Sequence, residues 1–406
     1  MGGGQLFDKN VFGNLLLMKI LILYSRDIDI NDSGGSRTTI ELMNYLVSKG
    51  VTCFTNFTII EGGDQKIIEM PNLHLNQSLI KEHIRKKNVD IILIPEGYKL
   101  TKFAYKVTFN TNCKIVSALH NKPGYERQRF WVTLWESAKY NTSIIKRIRA
   151  LLGLVFYPVL NYLYIRIYQI NMTKCYNYSD KLVLLSDNFF QPFINYYRID
   201  KNGEKLESIG NALSFNSYIT KEEINEKKKQ ILVVSRFDER QKRISLILKI
   251  WKEIQDIHKD WTLEIVGFGR SEPMYLKIVD KYKLQRVTFH GKQFPFNYYK
   301  ESSIFLMTSA YEGWGMTITE AQQLGCVPIV MNTFESLNEI IKDGVNGLIV
   351  DNNDIENFTK RLLFLIENES IRKEMAFNSM LMSKRFESRI ILEKYYQIFL
   401  KIMNEK

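Results

Sequence analysis

The stretch YEGWGMTITEAQQLGCVPIV, residues 311–330, carries two carboxylates, Glu312 and Glu320, with seven residues between them. Two close carboxylates can serve as the acid and the nucleophile of glycoside cleavage. The residues between this pair argue for another use. GWGM reads as a turn, and Thr317 to Leu324 reads as a helix with Glu320 about one turn inside it. The first N–H groups of a helix have no partner within it, so Gly315, Met316 and Thr317 offer donors to an anion. One acid lies before that pocket and one beyond it. The spacing suits two acceptors of hydroxyl hydrogen bonds on either side of a bound diphosphate.

Other residues with chemical potential also follow apolar runs. VVSRFDERQK holds Arg236 and, six positions later, Lys242 at the start of the next helix. Cations avoid the positive end of a helix unless an anion sits among them. A diphosphate would take charge-assisted hydrogen bonds from both. VGFGR places Gly267 and Gly269 where a bare backbone can approach a flat ring such as a nucleobase. In the first half, Gly34 and Gly35 precede a helix that Ser33 or Ser36 could cap, and they open the backbone to a phosphate or sugar. His120 ends the run IVSALH ahead of Asn121 and a Pro-Gly turn, a position from which an imidazole can face a ligand. Asp27 and Asp29 could hold a metal–diphosphate, but solvated loop acids are the preferred reading. No Walker, GxGxxG or HExxH pattern occurs, and no metal site is expected.

These positions need strands to hold them. KILILYS (19–25), VTCFTNF (51–57), VDIILIP (89–95), CKIVSAL (113–119) and KLVLLS (181–186) are continuous apolar runs, as in parallel strands buried on both faces. A second series runs through 227–237, 261–269, 286–291, 303–309, 326–332 and 346–350, with helical stretches between. Two βα series predict an α/β protein of two doubly wound, Rossmann-like parallel-sheet domains. The expected bounds are 18–215 and 216–385, with a closing amphipathic helix in 386–406. Ligands of such sheets lie outside the carboxyl ends of the strands, so the cleft between the domains is the expected site. Residues 1–17 look unlike the rest and are treated as an extension upstream of the fold; a secretory signal is not expected there.

The chain has 406 residues, 45% of them hydrophobic, which is enough for two cores. Its four cysteines, Cys53, Cys113, Cys175 and Cys326, are far apart, as in a reduced cytoplasmic protein. The net charge of +12 points to an anionic partner. Residues 122–174 hold nine Lys/Arg against two acids, so +7 of that charge sits there. Within it, SIIKRIRALLGLVFYPVLNYLYIRIYQI (143–170) is too apolar for a surface loop, and no segment is long enough to span a bilayer. An interfacial helix on an anionic membrane is expected, the alternative being an insert packed on the N-terminal domain. Nucleic acid is not an expected partner, because no recognition fold accompanies the charge.

In order along the chain, Gly34-Gly35, His120, Arg236 with Lys242, VGFG and Glu312-x7-Glu320 resemble the retaining family 4 glycosyltransferases of GT-B fold. The resemblance runs from Met18 onward and is most specific in the second half. It implies a nucleotide-sugar donor, expected to be UDP-linked, and a saccharide or lipid-linked saccharide acceptor bound by the N-terminal domain. Arg236 and Lys242 would neutralise the diphosphate, Glu320 would bind the ribose, and Glu312 and His120 the donor sugar. Gly35 would let the first loop approach, and Gly315 to Thr317 would support the phosphates. No cofactor or metal is implied. The expected enzyme is a cytoplasmic hexosyltransferase of surface-glycan synthesis, peripheral on the inner face of the cell membrane. The alternatives are a soluble sugar acceptor or a non-catalytic scaffold. Three positions depart from the family pattern: Trp314, expected to shape the sugar pocket; Gln322-Gln323; and Arg243 after Lys242, expected to add positive charge.

Overall fold

The computed structural model describes residues 18–29, 34–60, 67–69, 75–126, 134, 138, 143–199 and 203–405. It divides into two units. The first holds the described residues up to Gly210 together with Ser388–Lys406, and the second is Asn211–Glu387.

In the first unit the strands are β1 (Lys19–Ile22), β2 (Ile28–Asp29), β3 (Thr52–Thr55), β4 (Ile59–Ile60), β5 (Ile68–Glu69), β6 (Ile91–Ile94), β7 (Lys114–Ala118), β8 (Lys181–Leu184) and β9 (Leu206–Ser208). Seven of them form a parallel sheet in the order β5-β3-β1-β6-β7-β8-β9, and β2 pairs with β4. All five expected strands are present. β2, β4, β5 and β9 have two or three residues each, too short to show a period. Leu21, Leu23, Ile92, Ile94 and Ile115 face Leu100, Ala104 and Val107 of the helix Tyr98–Thr108. The chain's last helix, Ser388–Asn404, packs on the helix Gly34–Ser48 of this same unit. The Tyr45 hydroxyl donates to Glu393, and Lys49 pairs with Glu393 at 2.9 Å.

The second unit has β10 (Lys228–Val234), β11 (Thr262–Val266), β12 (Val287–Phe289), β13 (Ser302–Met307), β14 (Val327–Asn332) and β15 (Leu348–Asp351). They form one parallel sheet in the order β12-β11-β10-β13-β14-β15, one strand from each expected run. β13 is buried at every position, which explains its apolar run Ile304–Met307. Trp251 fills the core beneath it, and its indole N–H donates to the Gln285 carbonyl at 2.9 Å.

The basic apolar stretch forms two helices, Ile144–Val155 and Tyr157–Tyr178, bent at 92° to one another. The alternative of an insert packed on the N-terminal domain does not describe the first of these. Only Ala150 and Gly153 are buried in it, while Ile144, Ile145, Ile148, Leu151, Leu152 and Val155 are exposed. Among the described residues no single helix is long and apolar enough to cross a membrane.

Candidate active site

In the second unit the loops that follow β10 and β13 lie side by side and are laced together. Thr308 Oγ1 donates to the carbonyls of Lys242 and Arg243, at 3.1 and 3.0 Å. The Ala310 N–H donates to the Gln241 carbonyl at 2.6 Å. This lacing sets Lys242 Nζ 2.6 Å from Glu312 Oε1, with both side chains mostly buried. A charge-assisted bond of that length fixes both groups in an otherwise costly environment. The ammonium keeps two further N–H donors, and the carboxylate keeps lone pairs to accept hydroxyls. Arg236 is exposed at the end of β10, and its Nη2 donates to Gln241 Oε1 at 3.2 Å.

Lys242 does not open a long helix, as the spacing had suggested. It ends a four-residue turn, Glu239–Lys242, and the helix Ile244–Ile254 starts only after Arg243 turns left-handed at φ 49°. Nor is Arg243 spare charge. Its guanidinium donates to the carbonyls of Thr308 and Ser309, at 2.6 and 3.0 Å, and to the side-chain oxygens of Asn352 and Asn353. These bonds hold a backbone conformation that a non-glycine residue disfavours.

The helix Met316–Gln323 begins at Gly315, whose φ is +93°. A Cβ there would stand 2.9 Å from Ile318 Cδ1. No side chain caps this helix, so Met316 and Thr317 lie at an uncapped N-terminus between the two acids. Glu320 is buried. Ser214 Oγ donates to its Oε1 at 2.6 Å and the Tyr299 hydroxyl to its Oε2 at 3.0 Å. Burial first, and then the Glu320 carboxylate, hold the Tyr299 phenol protonated well beyond its ordinary range. Ser214 and Tyr299 lie 106 and 21 positions from Glu320, and no local sequence signal marks them.

Trp314 does not line a sugar pocket. It is 3% exposed, with its ring perpendicular to Phe386 at 5.4 Å, because an indole this large is most stable with its area out of water. Gln322 and Gln323 have a structural reason: both are buried and their amides donate to backbone carbonyls, Gln323 to Phe215 at 2.6 Å and Gln322 to Ile340 at 3.2 Å.

Gly267 and Gly269 serve the fold first. A Cβ on Gly267 would stand 1.8 Å from the Ser235 carbonyl oxygen, and one on Gly269 2.6 Å from that of Phe237. The two glycines let the loops after β10 and β11 pack backbone to backbone. Between them Phe268 is left exposed, with Lys292 Nζ 5.4 Å from its ring, an aromatic face the sequence did not single out.

In the first unit His120 follows β7 and lines a cavity of about 440 Å³ with Glu96, Lys122, Tyr125, Tyr168 and Tyr197. Desolvation pushes its imidazole below the usual value, partly opposed by a hydrogen bond to the Pro95 backbone. The ring is therefore neutral at pH 7. Tyr168 donates to the Tyr125 hydroxyl at 3.2 Å within the same wall. Gly34 and Gly35 are not a loop before the helix but its first two residues, and Ser36 is buried as its third. Ser33 and residues 1–17 lie outside the described residues. Asp27 accepts the Thr58 N–H at 2.7 Å, a structural use for that acid.

Residues 214–380, nearly all of the second unit, match the family described as glycosyl transferases group 1. The match to the glycosyl transferases group 1 family is thus carried by the second unit. The chain is 30% identical over 232 residues to the amylovoran biosynthesis glycosyltransferase AmsD of Erwinia amylovora, covering 55% of this chain and 63% of that one. It is 28% identical over 224 residues to an uncharacterized 41.2 kDa protein in the cps region of Klebsiella pneumoniae, covering 53% and 56%. The chain thus spans less than two thirds of the length of these curated relatives. Among solved structures, the lipopolysaccharide outer core galactosyltransferase WaaB matches with a TM-score of 0.66 at 16% identity, over 95% of this chain and 100% of that one. Anabaena Alr3699/HepE in complex with UDP-glucose matches at 0.67 and 15%, over 94% and 99%. At such identity these matches speak to fold: the chain has the two parallel-sheet domains of GT-B.

Proposed function

We propose that the protein is a retaining hexosyltransferase that takes its sugar from a UDP-linked donor and extends a surface polysaccharide or lipopolysaccharide. The observation that carries this reading is the buried Lys242–Glu312 pair beside the uncapped helix start at Gly315, with Glu320 beyond it. In the proposed reaction Lys242 and Arg236 receive the leaving diphosphate, so its charge is met by side chains rather than by a metal ion. Met316 and Thr317 support the phosphates. Glu312 accepts hydroxyls of the donor sugar, and Glu320 those of the ribose. The loop of Gly267 and Gly269 lies under the base. His120, neutral, serves the sugar, and Gly34 and Gly35 leave the backbone approachable. Support comes from the likeness to the amylovoran biosynthesis glycosyltransferase AmsD and to HepE, which is known in complex with UDP-glucose.

The same proposal places the enzyme in the cytoplasm, peripheral on the inner face of the membrane, with a lipid-linked acceptor. The exposed apolar residues of 144–170 and their basic neighbours support that placement. A screen of UDP-, GDP- and ADP-sugars, reading released nucleoside diphosphate, tests the donor. Glu312→Ala and Lys242→Ala proteins that fold normally should each lose about a hundredfold or more in turnover, the scale of losing a transition-state contact. Full activity in either variant would remove the assignment.

A further inference from the structure

The elbow between the two basic apolar helices has a geometry of its own. Val155, Phe156 and Val159 are 72%, 60% and 61% exposed, among the most exposed large apolar side chains described. They stand where the two helices meet at 92°. From Ala150 to Ile165 no residue is charged, and Arg149 and Arg166 bound that stretch. Lys146 and Arg147 precede it and Lys174 follows, while residues 143–178 contain no Asp or Glu. The first helix meets the described protein through its buried Ala150 and Gly153, the latter against Leu134, and through Arg147, whose Nε donates to the Ala138 carbonyl at 3.1 Å. On the second helix Val159, Leu163, Ile167 and Ile170 face out, and Tyr168 and Met172 on the opposite side line the His120 cavity.

Resting on the membrane reading above, we infer that this elbow is a wedge that enters one leaflet of an anionic bilayer tip first, Val155, Phe156 and Val159 leading. The length of the arms decides the depth. Arg149 to Phe156 is about 10 Å of helix, and Tyr157 to Arg166 about 14 Å. With both arms inclined, the tip lies roughly 7–10 Å past the arginines, short of the ~15 Å half-thickness of the hydrocarbon. The guanidinium groups stay among the phosphates, and the uncharged corner reaches the acyl chains. The wedge enters and does not cross.

Charge chooses the occupant. A second copy of this face would bring five cations against five, with no acid to pair them, and like charges in contact are costly. A lipid phosphate layer meets both the charges and the apolar corner.

The test uses the full chain with Phe156→Cys carrying an environment-sensitive fluorophore. The four native cysteines are buried, so the label goes to the new thiol. On vesicles of phosphatidylcholine and phosphatidylglycerol the emission should shift to the blue and be quenched by lipids brominated on the acyl chain. The same label at Lys106→Cys, exposed elsewhere in the first unit, should not respond. Vesicle affinity should survive added salt in large part, and Val155→Glu with Phe156→Glu should lower it about tenfold or more. If the protein floats with vesicles while the Phe156 label stays water-like, the wedge is wrong and the peripheral placement stands. If the protein does not float, both fall. A blue shift without vesicles would give the face to a second copy instead.

Discussion

Lys242 and Glu312 hold each other in place before any ligand arrives. A lysine alone on the loop after β10 would sample many rotamers; the 2.6 Å bond to Glu312 removes that freedom in advance. Replacing Glu312 with Gln should therefore act twice, weakening the sugar contact and releasing the cation, and turnover should fall more than donor affinity. Measuring kcat and KM separately checks this. His120 makes a second residue-scale prediction. Its folded-state value lies below the ordinary 6.5, so the unfolded chain binds the proton first as pH falls. The stability tied to it is present above about 6.5 and is lost as pH falls below that value. Urea midpoints of wild type and His120→Gln should converge as the pH is lowered. The acid limb of activity should lie below 6.5 and vanish in the variant. The types and spacing of Glu312, Glu320, Arg236, Lys242 and His120 were legible in the sequence. The partners Ser214 and Tyr299 were not, because a hydrogen bond across 106 residues leaves no local pattern.

At the scale of elements, the loops after β10, β11 and β13 position the site, and backbone contacts rather than side chains fit them together. Gly267→Ala would drive a methyl into the Ser235 carbonyl at a φ of +144°, and should cost about 2 kcal/mol or more of stability. The unfolding transition of the purified variant measures it. A loss of donor binding with unchanged stability would show that the glycine serves the ligand alone. The helix Ser388–Asn404 gives an acid-dependent contact. Hydrogen bonds from Tyr45, Gln397 and Lys49 lower the Glu393 carboxyl from 4.5 to about 2. A depressed acid stabilises above its unfolded value, so this contribution is full above about 4.5 and fades toward pH 2. The difference between wild type and Glu393→Gln in chemical denaturation should shrink over that window.

At the scale of the molecule, the first unit is discontinuous: its last helix comes from the far end of the chain, after the whole second unit. That helix buries Ile391, Leu392, Tyr395, Tyr396, Ile398, Phe399 and Ile402. At roughly 1.5–3 kcal/mol for each buried side chain as an upper bound, its removal exceeds the margin of a typical domain. Deleting residues 388–406 should leave a first unit that melts far below the intact chain or aggregates, as scanning calorimetry would record. The sequence by itself determined the strand runs, the two parallel sheets and the identities of the acids and cations, because buried parallel strands and helix starts are written in local pattern. Tertiary structure decided which glycines the backbone needs, that Trp314 is core, that Arg243 is a brace, and that the apolar corner at Phe156 faces outward. Each of these depends on what lies opposite a residue in space, and neighbours along the chain do not carry that.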